Sequence, residues 1–133
     1  MKKIVLATPP LSLQERYGAL AGAGNTMPCL GLLSLAGMAR EKGFDVSLVE
    51  ASSLGLSLDE VVKEILSASP DYVGLTSTTL SICSASALAE KAKSGQSRLK
   101  VIVGGPHLTA LPSETLQAFP AFDYGVIGEG EAT

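Results

Sequence analysis

Five short aliphatic and β-branched runs punctuate the chain, at Lys3–Ala7, Asp45–Glu50, Tyr72–Thr76, Lys100–Gly104 and Asp123–Ile127. Within each run the apolar character is nearly continuous rather than alternating, which is how strands covered on both faces read. Between the runs the apolar positions recur with a helical period. Leu58, Val61, Val62, Ile65 and Leu66 form one stripe, and Ser57 with Glu60 three residues later makes a capping box at its start. Ile82, Ala85, Leu88, Ala89 and Ala92 mark a second helix that ends near Gly95, its small residues suited to close packing on a sheet. Leu30 to Lys42 is a third, apolar almost all round until Arg40-Glu41-Lys42, with Gly43 as its C-cap, and Pro112 to Ala118 is a short fourth that opens on a proline.

Strands therefore alternate with helices, which predicts an open, doubly wound α/β fold, since right-handed crossovers put helices on both faces of a parallel sheet. Five strands suggest the flavodoxin-like, Rossmann-like order 2-1-3-4-5. Such sheets bind ligands beyond the carboxyl ends of the strands, near the switch point between strands 1 and 3. After the fifth strand comes Gly128-Glu129-Gly130-Glu131-Ala132-Thr133, where a covering fifth helix would be expected. Residues 1–133 thus read as one domain lacking its final helix and as a module of a longer protein.

Composition narrows this picture. With 46% hydrophobic residues in 133, the chain can build one sizeable core. The net charge of -3 and 17% charged residues supply no basic field for a phosphate backbone, so nucleic acid is not expected as a partner. After Met1-Lys2-Lys3 the apolar run Ile4-Val5-Leu6-Ala7 is cut short by Pro9-Pro10, below the roughly 7 to 15 residues of a signal-peptide core. The stretch Cys29 to Ala39 is far below the roughly 20 residues that cross a bilayer, and the expectation is a soluble, cytoplasmic protein without a membrane span. Cys29 and Cys83 form neither a CxxC nor a ligand cluster, so they read as buried free thiols rather than metal ligands.

The candidate chemistry lies in the loops after the strands. The first, Thr8 to Pro28, holds Pro9-Pro10 and then Gly18, Gly22 and Gly24, but neither a phosphate loop nor G-x-G-x-x-G, because Met27 stands where the third glycine belongs. A flexible lid without chemistry is an equal reading of it. Strand 3 runs into Thr76-Ser77-Thr78-Thr79, four hydroxyls that could meet a polar ligand or cap the next helix. No aspartate ends that strand, which argues against a phosphoacceptor receiver. Strand 4 runs into Gly104-Gly105-Pro106-His107, where two absent side chains would let a flat ligand lie against the backbone and Pro106 biases Gly105 toward extended geometry. A tight left-handed turn is the alternative there. His107, the one histidine, has no second ligand at metal spacing and reads first as a hydrogen-bonding group. Gly128-Glu129-Gly130-Glu131 adds carboxylates at the same edge.

Pro28-x-x-Gly31-Leu32-Leu33, Pro70-Asp71-Tyr72-Val73-Gly74-Leu75-Thr76-Ser77, Val103-Gly104-Gly105-Pro106-His107 and Phe122-Asp123-Tyr124-x-x-x-Gly128-Glu129-Gly130-Glu131 together resemble the N-terminal cobalamin-binding domain of B12-dependent radical SAM proteins. The resemblance implies a cleft at the sheet edge that takes the dimethylbenzimidazole tail. Thr76, Ser77, Thr78 and Thr79 after strand 3 and Gly104, Gly105, Pro106 and His107 after strand 4 would line it. Gly128, Glu129 and Gly130 after strand 5 would lie beside it. The D-x-H-x-x-G loop that gives cobalt a histidine in methionine-synthase-like members is missing, and Thr8, Pro9 and Pro10 occupy its place as candidate cofactor contacts. The implied state is base-off cobalamin with no protein histidine on cobalt, and no metal ligand is assigned.

The resemblance further implies that this domain presents cobalamin to a downstream radical SAM domain, for methyl transfer or related chemistry. S-adenosylmethionine and the 4Fe-4S cluster would belong to that domain, because CxxxCxxC is not in this chain. The chain alone is not expected to be catalytic. Two other readings stay open. One is a self-contained α/β enzyme on a small anionic ligand, with His107 and Glu129 as acid–base candidates. The other is a ligand-free packing domain that dimerises through an uncovered sheet face.

Overall fold

The computed structural model describes residues 1–23 and 27–133. Five parallel strands form one sheet in the order β2-β1-β3-β4-β5: β1 Lys3–Thr8, β2 Asp45–Glu50, β3 Tyr72–Thr76, β4 Lys100–Gly104 and β5 Tyr124–Gly125. The helices are α1 Leu13–Tyr17, α2 Leu30–Glu41, α3 Ala51–Leu54, α4 Leu58–Ser67, α5 Ile82–Gly95, α6 Pro106–Ala110 and α7 Pro112–Ala118, with 3₁₀ turns at Gly18–Ala23 and Gly130–Ala132. This is the doubly wound, flavodoxin-like order expected from the strand pattern. No helix among the described residues is long and apolar enough to cross a membrane.

Strand alternation sorts the side chains into two cores. Val5, Ala7, Val73, Leu75, Val101 and Val103 point to the face covered by α4 and α5, where Val61, Ile65, Leu88 and Ala89 are buried against them. Ile4, Leu6, Val46 and Leu48 point to the other face and meet Leu32, Leu35, Ala36 and Ala39 of α2. Gly74 has no side chain on this second face because a Cβ there would lie 2.6 Å from the Leu6 side chain. α2 covers the β2–β1 half; over β4 and β5, Ile102 is half-buried and Tyr124 is 53% exposed.

Several elements differ from the sequence pattern. β5 is two residues long rather than Asp123–Ile127, although Asp123 N–H donates to Val101 O and Val126 N–H to Val103 O on either side of it. It is an edge strand with Gly125 as its last residue and a left-handed Gly128 (φ 72°) just beyond, so regular pairing ends early. The Thr8 to Pro28 segment is not an unstructured lid among its described residues. Ser12 accepts from the Glu15 amide at 3.1 Å while the Glu15 carboxylate accepts from Ser12 N–H at 2.7 Å, a capping box that starts α1. Gly24 lies outside the described residues. Neither cysteine is buried: Cys29 is the N-cap residue of α2 at the sheet edge, and Cys83 lies on the exposed side of α5.

The box at α4 is the second of the kind, with Glu60 N–H donating to Ser57 Oγ at 3.2 Å and Ser57 N–H to Glu60 Oε1 at 3.3 Å. Ser57→Ala is expected to lower stability by about 1 kcal/mol, because it leaves a first-turn N–H without its acceptor. Urea unfolding at neutral pH checks this, and a midpoint equal to that of the parent would show the cap to be idle.

Candidate functional site

Right-handed crossovers bring the loops after β1, β3, β4 and β5 to one edge, and a cleft of about 140 Å³ opens there on the α2 side of the sheet. One wall is the start of α2, with Cys29, Gly31, Leu32 and Leu35. The other is the segment Gly128–Glu131, and Thr76 and Gly105 form the base. The two walls touch: Ser34 Oγ donates to Glu131 Oε1 at 2.9 Å, and a Cβ on Gly130 would lie 3.1 Å from Leu35.

The four consecutive hydroxyls have separate fates. Ser77 is fully buried and donates to Gly104 O at 2.9 Å, tying the β3 loop to β4. Thr78 N–H donates to Ser81 Oγ at 2.9 Å, with the two hydroxyls 3.1 Å apart, a turn that leads into α5. Thr79 Oγ1 lies 3.2 Å from His107 Nδ1. Thr76 lines the cleft, and its hydroxyl has no hydrogen-bond partner among the described residues. The run thus divides into three groups that shape the turn and one that faces the cleft.

The glycine pair divides in the same way. Gly105 has φ 97° and ψ 179°. The ψ is the extended value that a following proline imposes, but the φ is open in practice only to glycine. A Cβ there would lie 2.6 Å from Ser77 O, 2.7 Å from Ser77 N and 2.8 Å from Thr76 Oγ1. The bare backbone at 105 is therefore demanded by the β3 loop packed against it, not only by room for a ligand. At Gly104 the nearest atom to such a Cβ is Val126 O at 3.7 Å, an ordinary contact. Pro106 follows as the first residue of α6, and His107 N–H donates to Ser77 O at 3.2 Å. His107 is held at two points by the β3 loop, in the hydrogen-bonding role the sequence suggested.

After β1, Thr8 is buried and its hydroxyl accepts from Ser52 N–H at 3.3 Å and approaches Glu50 Oε2 at 3.5 Å. Pro9 O accepts from Ser52 Oγ at 3.0 Å and Pro10 O from Ser84 Oγ at 2.6 Å. These three residues fasten the loop rather than line the cleft. Gly128 N–H donates to Thr109 Oγ1 at 3.0 Å, Gly130 seats on Leu35, and Glu129 is exposed at the rim. Sequence reasoning did not assign Cys29, Gly31, Leu32 or Leu35 to the site, and named Glu131 only among the carboxylates at the same edge. The legible signal was α2 itself, whose apolar residues exceed what one buried face needs. Glu50, which accepts from Cys29 N–H at 3.0 Å and so fixes the first turn of α2, carried no signal of its own.

A larger depression of about 420 Å³ lies on the opposite face, between Pro10 to Glu15, Gly55 to Glu60 and Ser84. Size does not decide between the two. Its polar groups are engaged in the two capping boxes and in the Ser84–Pro10 bond, and the Ser12 amide holds the Glu15 carboxyl below its ordinary range. The smaller cleft is the one that meets Thr76 and Gly105.

The family model described as B12 binding domain matches residues 18–133. The chain belongs to this family. Over 132 residues this B12 binding domain is 38% identical to an uncharacterized methyltransferase of Pyrococcus horikoshii, an alignment that covers 98% of the chain and 28% of the relative. It is 36% identical over 110 residues to the anaerobic magnesium-protoporphyrin IX monomethyl ester cyclase of Rubrivivax gelatinosus, covering 82% of the chain and 20% of that protein. Among solved structures, the cobalamin-dependent S-adenosylmethionine radical enzyme OxsB, with aqua-cobalamin and S-adenosylmethionine bound, superposes with a TM-score of 0.73. That match, at 19% identity over 98% of the chain and 17% of OxsB, shows the shared fold. The B12 binding domain thus spans 28% or less of the length of each of these proteins.

Proposed function

We propose that this domain holds cobalamin across the carboxyl edge of its sheet, base-off, with the nucleotide base lodged between α2 and Gly128–Glu131 and no histidine of this chain on cobalt. Membership of the B12 binding domain family supports the cofactor. The observation that supports the placement is Thr76, a hydroxyl without an internal partner among the described residues, at the base of a cleft whose α2 wall is apolar.

The residues fit one part of the cofactor. Leu32 and Leu35 offer apolar surface, Gly105, Gly128 and Gly130 offer bare backbone, and Thr76 offers one hydrogen bond, which suits a flat heteroaromatic ring with a single polar edge. A space of about 140 Å³ is below the roughly 300–1,000 Å³ of sites that enclose whole ligands, so the remainder of the cofactor would lie outside it, above the β1, β3 and β4 loops. When bound, the cofactor would supply the organometallic chemistry of methyl carriage. The chain's part is to orient it and to exclude water from the base. A radical SAM domain of the longer protein, holding S-adenosylmethionine and the 4Fe-4S cluster, would receive it. The names of OxsB and the Pyrococcus relative support that reading.

Hydroxocobalamin titrated into the domain is expected to give a saturable change in its visible spectrum to a base-off form and to co-elute on gel filtration. Thr76→Val keeps the shape but not the hydrogen bond, and is expected to weaken binding about five- to tenfold. An unchanged spectrum with no retention would overturn the proposal, and equal affinity in Thr76→Val would remove the base from this cleft.

A further inference from the structure

Most glycines around the cleft answer a demand of the fold. Gly105 and Gly128 hold positive φ angles of 97° and 72°, and a Cβ on Gly130 would lie 3.1 Å from Leu35. Gly31 is different. It lines the cleft as the second residue of α2, its φ is not positive, and a Cβ built on it meets only Cys29 Sγ within 4 Å among the described residues. That contact, at 4.0 Å, is an ordinary one with another residue of the same cleft. Glycine is the poorer choice for a helix, since it loses more backbone freedom than alanine when the helix forms. Neither a turn nor close packing therefore accounts for residue 31, and the space it leaves opens on the cleft.

The wall that carries Gly31 is pinned on both sides of it. Two residues before, Cys29 N–H donates to Glu50 Oε1 at 3.0 Å; three residues after, Ser34 Oγ donates to Glu131 Oε1 at 2.9 Å. Leu32, the next residue, is buried in the core with Leu6, Ala36 and Val46, so turning α2 about its axis would unpack it. A side chain at 31 would thus be taken out of the width of the cleft rather than absorbed by movement of the helix. In a space of about 140 Å³ one methyl group is a sizeable loss. Gly37 supplies the comparison within the same helix: a Cβ there has nothing within 4 Å among the described residues, and it lies outside the cleft.

We infer that Gly31 is a specificity-determining residue, which rests on the proposal that the nucleotide base lodges in this cleft. Its bare Cα is the clearance that lets a flat, bicyclic base pass between α2 and Gly128–Glu131. A corrinoid that carries such a base gains from the glycine, and a corrinoid without the nucleotide tail gains nothing from it. The helix gives up some of its own stability at 31 to keep that clearance, a cost that only a bound ligand offsets.

The test compares the parent, Gly31→Ala and Gly37→Ala in two measurements: the melting temperature without cofactor, and equilibrium dialysis against hydroxocobalamin and against cobinamide, which lacks the nucleotide base. Gly37→Ala is expected to melt about 2–4 °C higher than the parent, and Gly31→Ala, in the first turn, at or above the parent. Affinity for hydroxocobalamin should fall about tenfold in Gly31→Ala, the scale of one methyl group forced into a filled space, and stay unchanged in Gly37→Ala. Affinity for cobinamide should be the same in all three, and a parent that retains hydroxocobalamin but not cobinamide would equally support the inference. A glycine with a merely structural role would lose stability and affinity together. A lower melting temperature for Gly31→Ala, an undiminished affinity for hydroxocobalamin, or an equal loss for cobinamide would each overturn the inference. The two proposals fail differently: a parent that holds neither corrinoid counts against the cofactor reading itself, whereas a parent and a Gly31→Ala that bind hydroxocobalamin alike count only against the role of Gly31.

Discussion

Gly105→Ala is expected to cost about 3 kcal/mol of stability. Two penalties combine. The φ of 97° is outside the regions an L-residue adopts without strain, which costs on the order of 1–3 kcal/mol. The new Cβ would also lie within 2.8 Å of three atoms of Thr76 and Ser77, two of them backbone atoms that cannot swing away. For a domain of this size the melting temperature should fall by roughly 10 °C. Differential scanning calorimetry of the variant checks it, and a drop under about 2 °C would mean that the β3 loop moves aside at little cost. The same geometry makes larger residues at 105 poor probes of cofactor binding, because lost affinity and lost folding would coincide. Thr76→Val is the cleaner probe.

The second large effect is at the other end of the sheet. Asp123 Oδ2 accepts from Val101 N–H at 2.8 Å and from Lys93 Nζ at 2.8 Å, while Lys93 also donates to Ala121 O at 3.1 Å. These bonds clamp the start of β5 to β4 and α5, where the two-residue strand itself contributes little pairing. Burial opposes the charged carboxylate, but Lys93, the Val101 amide and the more distant Lys100 outweigh it and hold Asp123 below the ordinary carboxyl value of 3.8. Asp123→Ala is expected to cost about 2–3 kcal/mol at pH 7, since it leaves the half-buried Lys93 ammonium without its counter-charge and the Val101 amide without its acceptor. A depressed carboxyl contributes its stability above the unfolded-state value and loses it as pH falls through the lower folded-state value. The gap between parent and variant should therefore be full at pH 7 and close progressively below about pH 4. Urea midpoints measured from pH 7 to pH 2 test this, and a gap that stays constant would show the contribution of Asp123 to be packing rather than charge.

Much of the fold was legible because it is written in local signals. The continuous apolar runs located all five strands, Ser57 with Glu60 located the start of α4, and Gly43 the end of α2. The short helices α1, α3 and α6 were not anticipated, although Ser12 with Glu15 carried the same signature as Ser57 with Glu60, because the long loop around it drew attention to its glycines. The fifth strand was overdrawn, since an apolar run does not reveal that Gly125 sits at a sheet edge with one neighbour. The cysteines misled for a related reason: burial depends on which side of a helix faces the sheet, and one residue carries no such information.

Order and composition were enough to specify a parallel sheet in the order 2-1-3-4-5, an edge where ligands gather, and the loops that supply it, because strand pattern and crossover handedness leave few alternatives. Which of Thr76, Ser77, Thr78 and Thr79 faces that edge was settled only when β3 and β4 lay side by side. Three of the four hydroxyls then found partners in Gly104, Ser81 and His107, residues up to 28 positions away. The glycine at 105 belongs to the same class. Its backbone angle was unreadable from Gly-Gly-Pro-His alone, since the demand for a missing side chain comes from Ser77 on the neighbouring loop. Local chemistry names the candidates, and contacts between distant segments choose among them, because a hydroxyl or a bare backbone is free for a ligand only if no other part of the chain has taken it.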